Sequence, residues 1–315
     1  MNKTSIPLVF KREEDEKEVA GQFEEHEEAR SLTPLLFSFF STEYMYTCQM
    51  RVGKNYRRNE FPNRKSTSLW SRAFNYEKEF EHRSLYVRRE GDRMEKAYQV
   101  GIITKWGKGV FSRTKIVTFV PLFQIKNLTE YKLKVTQCST GNETDEDVLP
   151  CDPGVLTNFH WSAKWDRILR LRLHDVCDWS GGFRIDKETT YHLAVKLNRN
   201  EEATLQVSVA FKNGTYRCVF LNGEDFPPPY RILNFSEVPL FYCQTNENTS
   251  EIRNVIRPKE CRDYVMDEPL QPHSLTFNVF QECSESYDLS TKMKGGYRKL
   301  YYQNAIFIAF DGNSR

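Results

Sequence analysis

An all-β chain of tandem β-sandwich repeats, each about 107 residues long, is what this sequence predicts, and three observations predict it. A stretch occurs twice, as PLFQIKNLTEYKLKVTQ from Pro121 to Gln137 and as PPYRILNFSEVPLFYCQ from Pro228 to Gln244. Pro121 falls on Pro228, 107 residues later, without a gap. A second motif, W-S-x-x-F, appears as Trp70-Ser71-Arg72-Ala73-Phe74 and again as Trp179-Ser180-Gly181-Gly182-Phe183, 109 residues on. Behind each copy comes an alternating two-strand pattern, SLYVRR with AYQVGII and then YHLAVKLN with TLQVSVAF. A period near a hundred residues is too long for one turn of a solenoid and suits a small domain repeated in tandem.

Taken in order, residues 1–31 carry the run EEDEKEVAGQFEEHEEAR and are expected to be an acidic lead-in, helical or disordered. Residues 32–116 read as the C-terminal part of a repeat, with candidate strands in TPLLFSFF and YMYTCQMRV and a basic loop, YRRNEFPNRKSTS, whose plain reading is a surface insertion. Residues 117–223 read as one complete repeat. Residues 224–315 read as the N-terminal part of a further one, its W-S motif degraded near Tyr287. One complete and two partial repeats make the chain look cut at both ends from a longer array.

Within each repeat the Asn strand sets the register. Phe123, Ile125 and Asn127 alternate along one strand, as do Tyr230, Ile232 and Asn234 along the other, so each trio shares one sheet face. If the aromatic and the Ile point inward, the Asn does too. A buried amide left without partners costs about 1–3 kcal/mol, and the turn that follows offers backbone groups an Asn side chain can bridge. Asn127 and Asn234 are therefore expected to lock a strand end. Trp70, Trp179, Phe74, Phe183, Ile125 and Ile232 are expected in the repeat cores, because large aromatics dominate sandwich interiors.

Composition bounds the function. The 315 residues, 39% hydrophobic with 22 Phe and 16 Tyr, can build two or three small cores. A net charge of +2 supplies no global field toward nucleic acid. The apolar runs Leu35–Phe40 and Ala305–Phe310 fall far short of the roughly 20 residues that span a bilayer. No phosphate loop, HExxH or GxSxG motif occurs, and the six histidines are scattered. No enzyme chemistry, metal or cofactor is expected. The eight cysteines form no CxxC pair and do not follow the repeat, which favours cytosolic thiols over a disulfide framework. The competing reading is a secreted, disulfide-bonded and N-glycosylated β-sandwich protein, suggested by sequons at Asn2, Asn127, Asn142, Asn213, Asn234 and Asn248. Two of these belong to the repeat motif, and the other four read as accidental.

The alternating motifs P-x-[FY]-x-I-x-N and W-S-x-x-F, with the segments KIVTFVPLFQIKN and LRLHDVCDWSGGFRID, resemble the adaptor-binding domain of the vacuolar protein sorting-associated protein 13 family over about residues 33–315. The resemblance implies an array of β-sandwich repeats, each with a characteristic Asn, here Asn127 and Asn234. It implies a non-catalytic module that binds organelle adaptor proteins through short proline-containing segments. That module recruits a bridge-like lipid transfer protein to organelle membranes or membrane contact sites. The chain would then be cytoplasmic and peripheral, its membrane association indirect, with no lipid transfer by this part alone. An extended peptide added to a sheet edge, its prolines against aromatic side chains, is the physical route available. Phe123, Tyr131, Tyr230 and Tyr242 are the candidate aromatics.

Overall fold

The computed structural model describes residues 1–12, 47–53, 66–89, 95–138, 148–161, 167–173, 178–198, 201–245, 254–279, 282–289, 296–300 and 306–310. The expected strand TPLLFSFF, the turn Glu90-Gly91-Asp92, most of the basic loop YRRNEFPNRKSTS and the sequons at Asn142 and Asn248 lie outside these residues. What is described is almost wholly β, arranged as three successive groups of strands.

The first group comprises β1 (Leu8–Arg12), β2 (Thr47–Val52), β3 (Ser66–Ser68), β4 (Phe74–Asn75), β5 (Phe80–Arg89), β6 (Glu95–Trp106) and β7 (Lys115–Pro121). They form two sheets, β1-β2-β4 and β3-β5-β6-β7. Ile6, Met50, Phe74, Leu85, Tyr98 and Phe119 are among the side chains that fill the space between. Two expectations change here. The stretch 1–31 is not wholly a helical or disordered lead-in, because β1 pairs antiparallel with β2 from Leu8↔Val52 to Arg12↔Cys48. Its apolar Leu8, Val9 and Phe10 have a sheet to join, and the acidic run follows them. The boundary expected after residue 116 also falls inside β7, which continues the β6 ladder to Val100↔Pro121.

The second group comprises β8 (Phe123–Asn127), β9 (Leu133–Gln137), β10 (Leu149–Cys151), β11 (Leu156–Phe159), β12 (Leu169–Arg172), β13 (Thr189–Lys196), β14 (Glu202–Lys212) and β15 (Thr215–Asn222). Its sheets are β11-β8-β15-β14-β13 and β10-β9-β12. The β8–β15 pair is parallel, running from Phe123↔Tyr216 to Asn127↔Phe220. A tight turn joins β14 to β15, with Asn213 at φ 52° and Gly214 at φ 74°. Those positive values suit a two-residue hairpin, and Asn-Gly adopts them at little cost.

The third group comprises β16 (Tyr230–Leu233), β17 (Leu240–Gln244), β18 (Asn254–Ile256), β19 (Cys261–Tyr264), β20 (Ser274–Val279) and β21 (Glu282–Asp288). Here β16 pairs with β19, and the other sheet runs β18-β17-β20-β21. Two further strands, β22 (Gly296–Leu300) and β23 (Ile306–Phe310), pair with each other. The degraded W-S motif lies on β21, where Tyr287 faces Leu275; Phe183 faces Leu169 in the second group.

The groups are joined by close backbone contact. A Cβ on Gly101 of β6 would collide with the carbonyl oxygen of Gly214, so the second group's hairpin turn sits directly on the first group's sheet. Phe80 meets Phe211 edge-on there, with ring centroids 5.0 Å apart. Gln99 adds three bonds across the same joint: its Nε2 donates to the Trp161 carbonyl (3.0 Å), its Oε1 accepts the Trp161 N–H (2.7 Å), and its backbone N–H donates to His160 Nδ1 (3.1 Å). At the next joint, a Cβ on Gly181 would collide with the carbonyl oxygen of Asp267. Gly182 N–H there donates to Glu268 Oε2 (3.0 Å).

Candidate functional site

Asn127 closes β8 with its amide fully buried. Its Nδ2 donates to the carbonyls of Tyr131 (2.7 Å) and Cys151 (2.8 Å), while its Oδ1 accepts the Thr129 N–H (2.9 Å) and hydroxyl (2.7 Å). Asn234, 2% exposed, repeats the arrangement. Nδ2 donates to Val238 (2.9 Å) and Ile256 (3.1 Å), and Oδ1 accepts the Ser236 N–H (3.0 Å) and hydroxyl (2.6 Å). The amide is needed because one side chain must donate on one side and accept on the other, which Asp cannot do. It ties the two sheets together: Asn127 belongs to the β8 sheet, and the Cys151 carbonyl it holds belongs to β10 in the facing sheet. Every polar atom of the side chain is engaged, so neither Asn has a nitrogen available for a glycan or a ligand.

A third copy sits at the start of the chain. Asn2 Nδ2 donates to the Ile6 carbonyl (2.8 Å), and Oδ1 accepts the Thr4 N–H (2.9 Å) and hydroxyl (2.6 Å). Asn2 bridges in parallel to Phe119 of β7, as Asn127 does to Phe220 of β15. The sequon at Asn2 is therefore the same motif and not an accident of composition. Its signal in the sequence is only N-K-T, and it stands 125 residues before Asn127.

The W-S-x-x-F motif works differently from the sequence expectation. Ser71 N–H donates to the Met50 carbonyl (2.8 Å), and its hydroxyl accepts the Met50 N–H (3.1 Å) and donates to the Arg72 carbonyl (2.9 Å). Ser180 does the same with Leu171 (2.8 and 3.1 Å) and the Gly181 carbonyl (2.9 Å). The serine thus takes the inward place. Its neighbour along an extended chain points the other way, so Trp70 and Trp179 are half-buried surface residues rather than core. Arg51 lies over the Trp70 ring at 5.0 Å and Arg172 over the Trp179 ring at 4.3 Å. Phe74, Phe183 and Ile125 are buried, and Ile232 is partly buried against the third core.

The candidate pocket aromatics divide. Phe123 is buried and stacked on Tyr216 with centroids 5.6 Å apart, and Tyr242 is buried edge-on to Tyr264. Neither is open to a partner. Tyr131 and Tyr230 reach the surface. Tyr230 shares a 2.7 Å hydrogen bond with His273 Nδ1, at the start of β16.

Among the described residues, one edge of that strand is unpaired. In the second group β8 is flanked by β11 and β15, and Leu128 N–H donates to the Phe220 carbonyl of β15 (2.9 Å). In the first group Lys3 N–H donates likewise to the Phe119 carbonyl of β7 (2.7 Å). In the third, β16 is paired only with β19 among the described residues. Asn234 N–H points to the Glu260 carbonyl beyond β19 (2.9 Å), so by alternation the amides of Arg231, Leu233 and Phe235 face the unpaired side. Leu233 is exposed there, and Phe235 is 76% exposed.

Titratable chemistry is sparse. No group of three or more His, Cys, Asp or Glu that could hold a metal occurs among the described residues. Burial pushes the Cys151 thiol up to about 12, and burial raises Cys218 as well. Cys151, Cys218 and Cys261 are free thiols. His160 is held down at about 4, by burial first and Lys96 second. No helix among the described residues is long and apolar enough to cross a membrane.

Comparison with known proteins adds the relatives. The family described as vacuolar-sorting associated protein 13, adaptor binding domain, matches residues 1–273, including the Asn2 turn. The chain is 34% identical to human intermembrane lipid transfer protein VPS13D over 98% of its own length and 7% of that protein's. It is 31% identical to Drosophila melanogaster intermembrane lipid transfer protein Vps13D, over 99% of the chain and 8% of the relative. Intermembrane lipid transfer protein vps13E of Dictyostelium discoideum is 24% identical over 83% of the chain and 6% of the relative. The chain thus spans less than a tenth of the length of these relatives.

Proposed function

The chain belongs to the vacuolar-sorting associated protein 13 adaptor-binding domain family, and on that premise we propose that it is a non-catalytic module capturing short proline-containing segments of organelle adaptor proteins. Capture places a bridge-like intermembrane lipid transfer protein at an organelle membrane or membrane contact site. The chain acts from the cytoplasm, as a peripheral component.

The observation that carries this reading is the edge of β16 that is unpaired among the described residues. In the two preceding groups the same edge is occupied by a parallel strand, so the slot is shaped for an extended chain. A peptide entering it gains backbone hydrogen bonds from Arg231, Leu233 and Phe235, with Phe235 and Leu233 beside it as apolar contacts. Along an added edge strand only alternate residues bond to β16. Proline at the positions between loses no hydrogen bond and arrives already extended.

The test is fluorescence anisotropy with labelled proline-containing peptides from organelle membrane proteins, against the whole chain and two variants. Leu233→Pro removes one edge amide and leaves the β19 ladder intact; it is expected to lose binding while melting as the wild type does. Asn234→Ala is expected to lose binding and stability together. Undiminished binding by Leu233→Pro, or no binding by the folded wild type to any such peptide, removes the β16 edge as the capture site.

A further inference from the structure

The β6–β7 hairpin ends in a tip unlike its counterpart in the second group. There, Asn213 and Gly214 alone join β14 to β15, and the turn packs onto the first group, with a Cβ at Gly214 falling 2.7 Å from Ile103 Cγ1. In the first group the connection from Gly107 to Thr114 lies in solvent. It is nonetheless ordered by its own backbone. Gly107 N–H donates to Thr114 (2.8 Å), Phe111 N–H to Lys108 (3.2 Å) and Thr114 N–H to Phe111 (2.9 Å), around a 3-10 turn at Gly109–Phe111.

This frame holds apolar side chains outward. Trp106 is 62% exposed, Val110 93% and Phe111 59%. The sequence KWGKGVFSRTK places Lys105, Lys108, Arg113 and Lys115 around them, with no carboxylate in the stretch. Lys115 is paired with Glu77 (2.7 Å) and lies 5.0 Å from the centroid of the Trp106 ring. Lys105, Lys108 and Arg113 have no carboxylate partner among the described residues. On the adjoining β4–β5 turn Glu77 is the carboxylate that Lys115 holds and Glu79 is exposed, while Glu81, at the start of β5, is engaged by Lys78 and Arg83. Glu79 is the one further carboxylate on that turn, and against it Lys105, Lys108 and Arg113 leave the balance at the tip positive.

A convex tip has no walls to cradle a peptide. It does match a surface that is anionic at its face and apolar just beneath. Tryptophan settles at the headgroup level of bilayers, and flanking cations are drawn to anionic lipid. We propose that the tip from Lys105 to Ile116 is a membrane-docking loop: Trp106, Val110 and Phe111 enter the interface of an anionic bilayer while Lys105, Lys108 and Arg113 engage its headgroups. This contact is direct, needs no adaptor, and lies on a different group of strands from the β16 edge.

The test is co-flotation of the whole chain with vesicles of phosphatidylcholine alone or with added phosphatidylserine, in the absence of any other protein. Binding is expected only with phosphatidylserine, and is expected to fall as salt rises. Val110→Asp with Phe111→Asp is expected to abolish it. Lys105→Ala, Lys108→Ala and Arg113→Ala together are expected to weaken it on the order of a hundredfold, at about fivefold per cation. All these side chains are exposed or at the tip, so thermal melting should not move, and Phe235→Asp should bind as the wild type does. In vesicles carrying brominated lipid, quenched emission should be present in the wild type and lost in Trp106→Phe. Failure to float with phosphatidylserine vesicles, or flotation unchanged by the Val110 and Phe111 substitutions, overturns the proposal. So does self-association in sedimentation velocity that the same substitutions abolish without any vesicle binding, which would assign the tip to a contact between copies.

Discussion

Asn127→Ala measures what the Asn turn contributes. The substitution deletes four hydrogen bonds within a site that has no solvent access. The Tyr131 carbonyl keeps a longer bond from the Thr129 hydroxyl (3.4 Å). The Thr129 N–H and the Cys151 carbonyl lose the partner Asn127 supplies. Each buried group so orphaned costs about 1–3 kcal/mol, so the second group should lose about 2–6 kcal/mol. A single melting temperature for three groups of strands is a poor readout, because several cooperative units blur it. The buried thiols of Cys151 and Cys218 report on the second group alone. Burial keeps both protonated and covered, so a thiol reagent reaches them only when that group opens. A loss of 2 kcal/mol corresponds to labelling about thirtyfold faster, since 1.4 kcal/mol is tenfold. Exposed Cys261 should label at an unchanged rate. Asn127→Asp should be worse than Ala at neutral pH, because a carboxylate would face two carbonyl oxygens with no proton to give. Acidification should narrow that gap. Acceleration of less than threefold in Asn127→Ala, or an Asp variant equal to wild type, would refute the corner-pin reasoning.

Three further outcomes follow from the geometry. The unfolded imidazole of His160 titrates near 6.5 and the folded one at about 4. The unfolded chain therefore takes up the proton first, and stability is full above about pH 6.5 and falls by about 3 kcal/mol as pH drops to about 4. Urea unfolding of wild type against His160→Gln at pH 7 and pH 4.5 should show that slope only in the wild type. Gly181→Ala should separate the second and third groups, since its methyl group would meet the Asp267 carbonyl and lie 2.7 Å from Pro269 Cδ. Limited proteolysis should then cut at the joint while the separate cores persist. Ser180→Ala leaves the Leu171 N–H without its side-chain acceptor and should cost about 1–3 kcal/mol, read again by faster labelling of Cys218.

The period of two in F-Q-I-K-N and the need to satisfy a buried amide were enough to read an all-β chain and to turn Asn127 and Asn234 inward. Three things were not legible. Asn2 is marked in this sequence only by N-K-T, and its spacing to the next copy is 125 residues instead of 107, so it falls outside the period of the other two. The outward turn of Trp70 and Trp179 depends on their stacking partners, Arg51 and Arg172, which approach from separate strands. In the sequence the general rule that large aromatics are buried has no competitor, whereas in the fold Ser71 and Ser180, through their bonds, take the inward place. The contacts between groups, at Gly101 with Gly214 and Gly181 with Asp267, are made by residues whose significance is a missing side chain, which no local pattern announces.

The Asn turn and the β16 edge bear on each other through the backbone, not through contact with a ligand. Asn234 is saturated by the chain itself, so it offers nothing to a bound peptide. It fixes the end of β16 against the β18 carbonyl at Ile256 and against Ser236, and so sets the direction in which the Leu233 and Phe235 amides point. An amide turned away from its acceptor by a few tens of degrees loses most of a hydrogen bond. Loss of capture on changing this Asn therefore does not identify it as a contact residue. The distinction lies in stability: a positioning residue loses affinity and local stability in step, whereas an edge amide such as that of Leu233 loses affinity alone. The two variants read together separate a pin from a docking surface, and neither does so by itself.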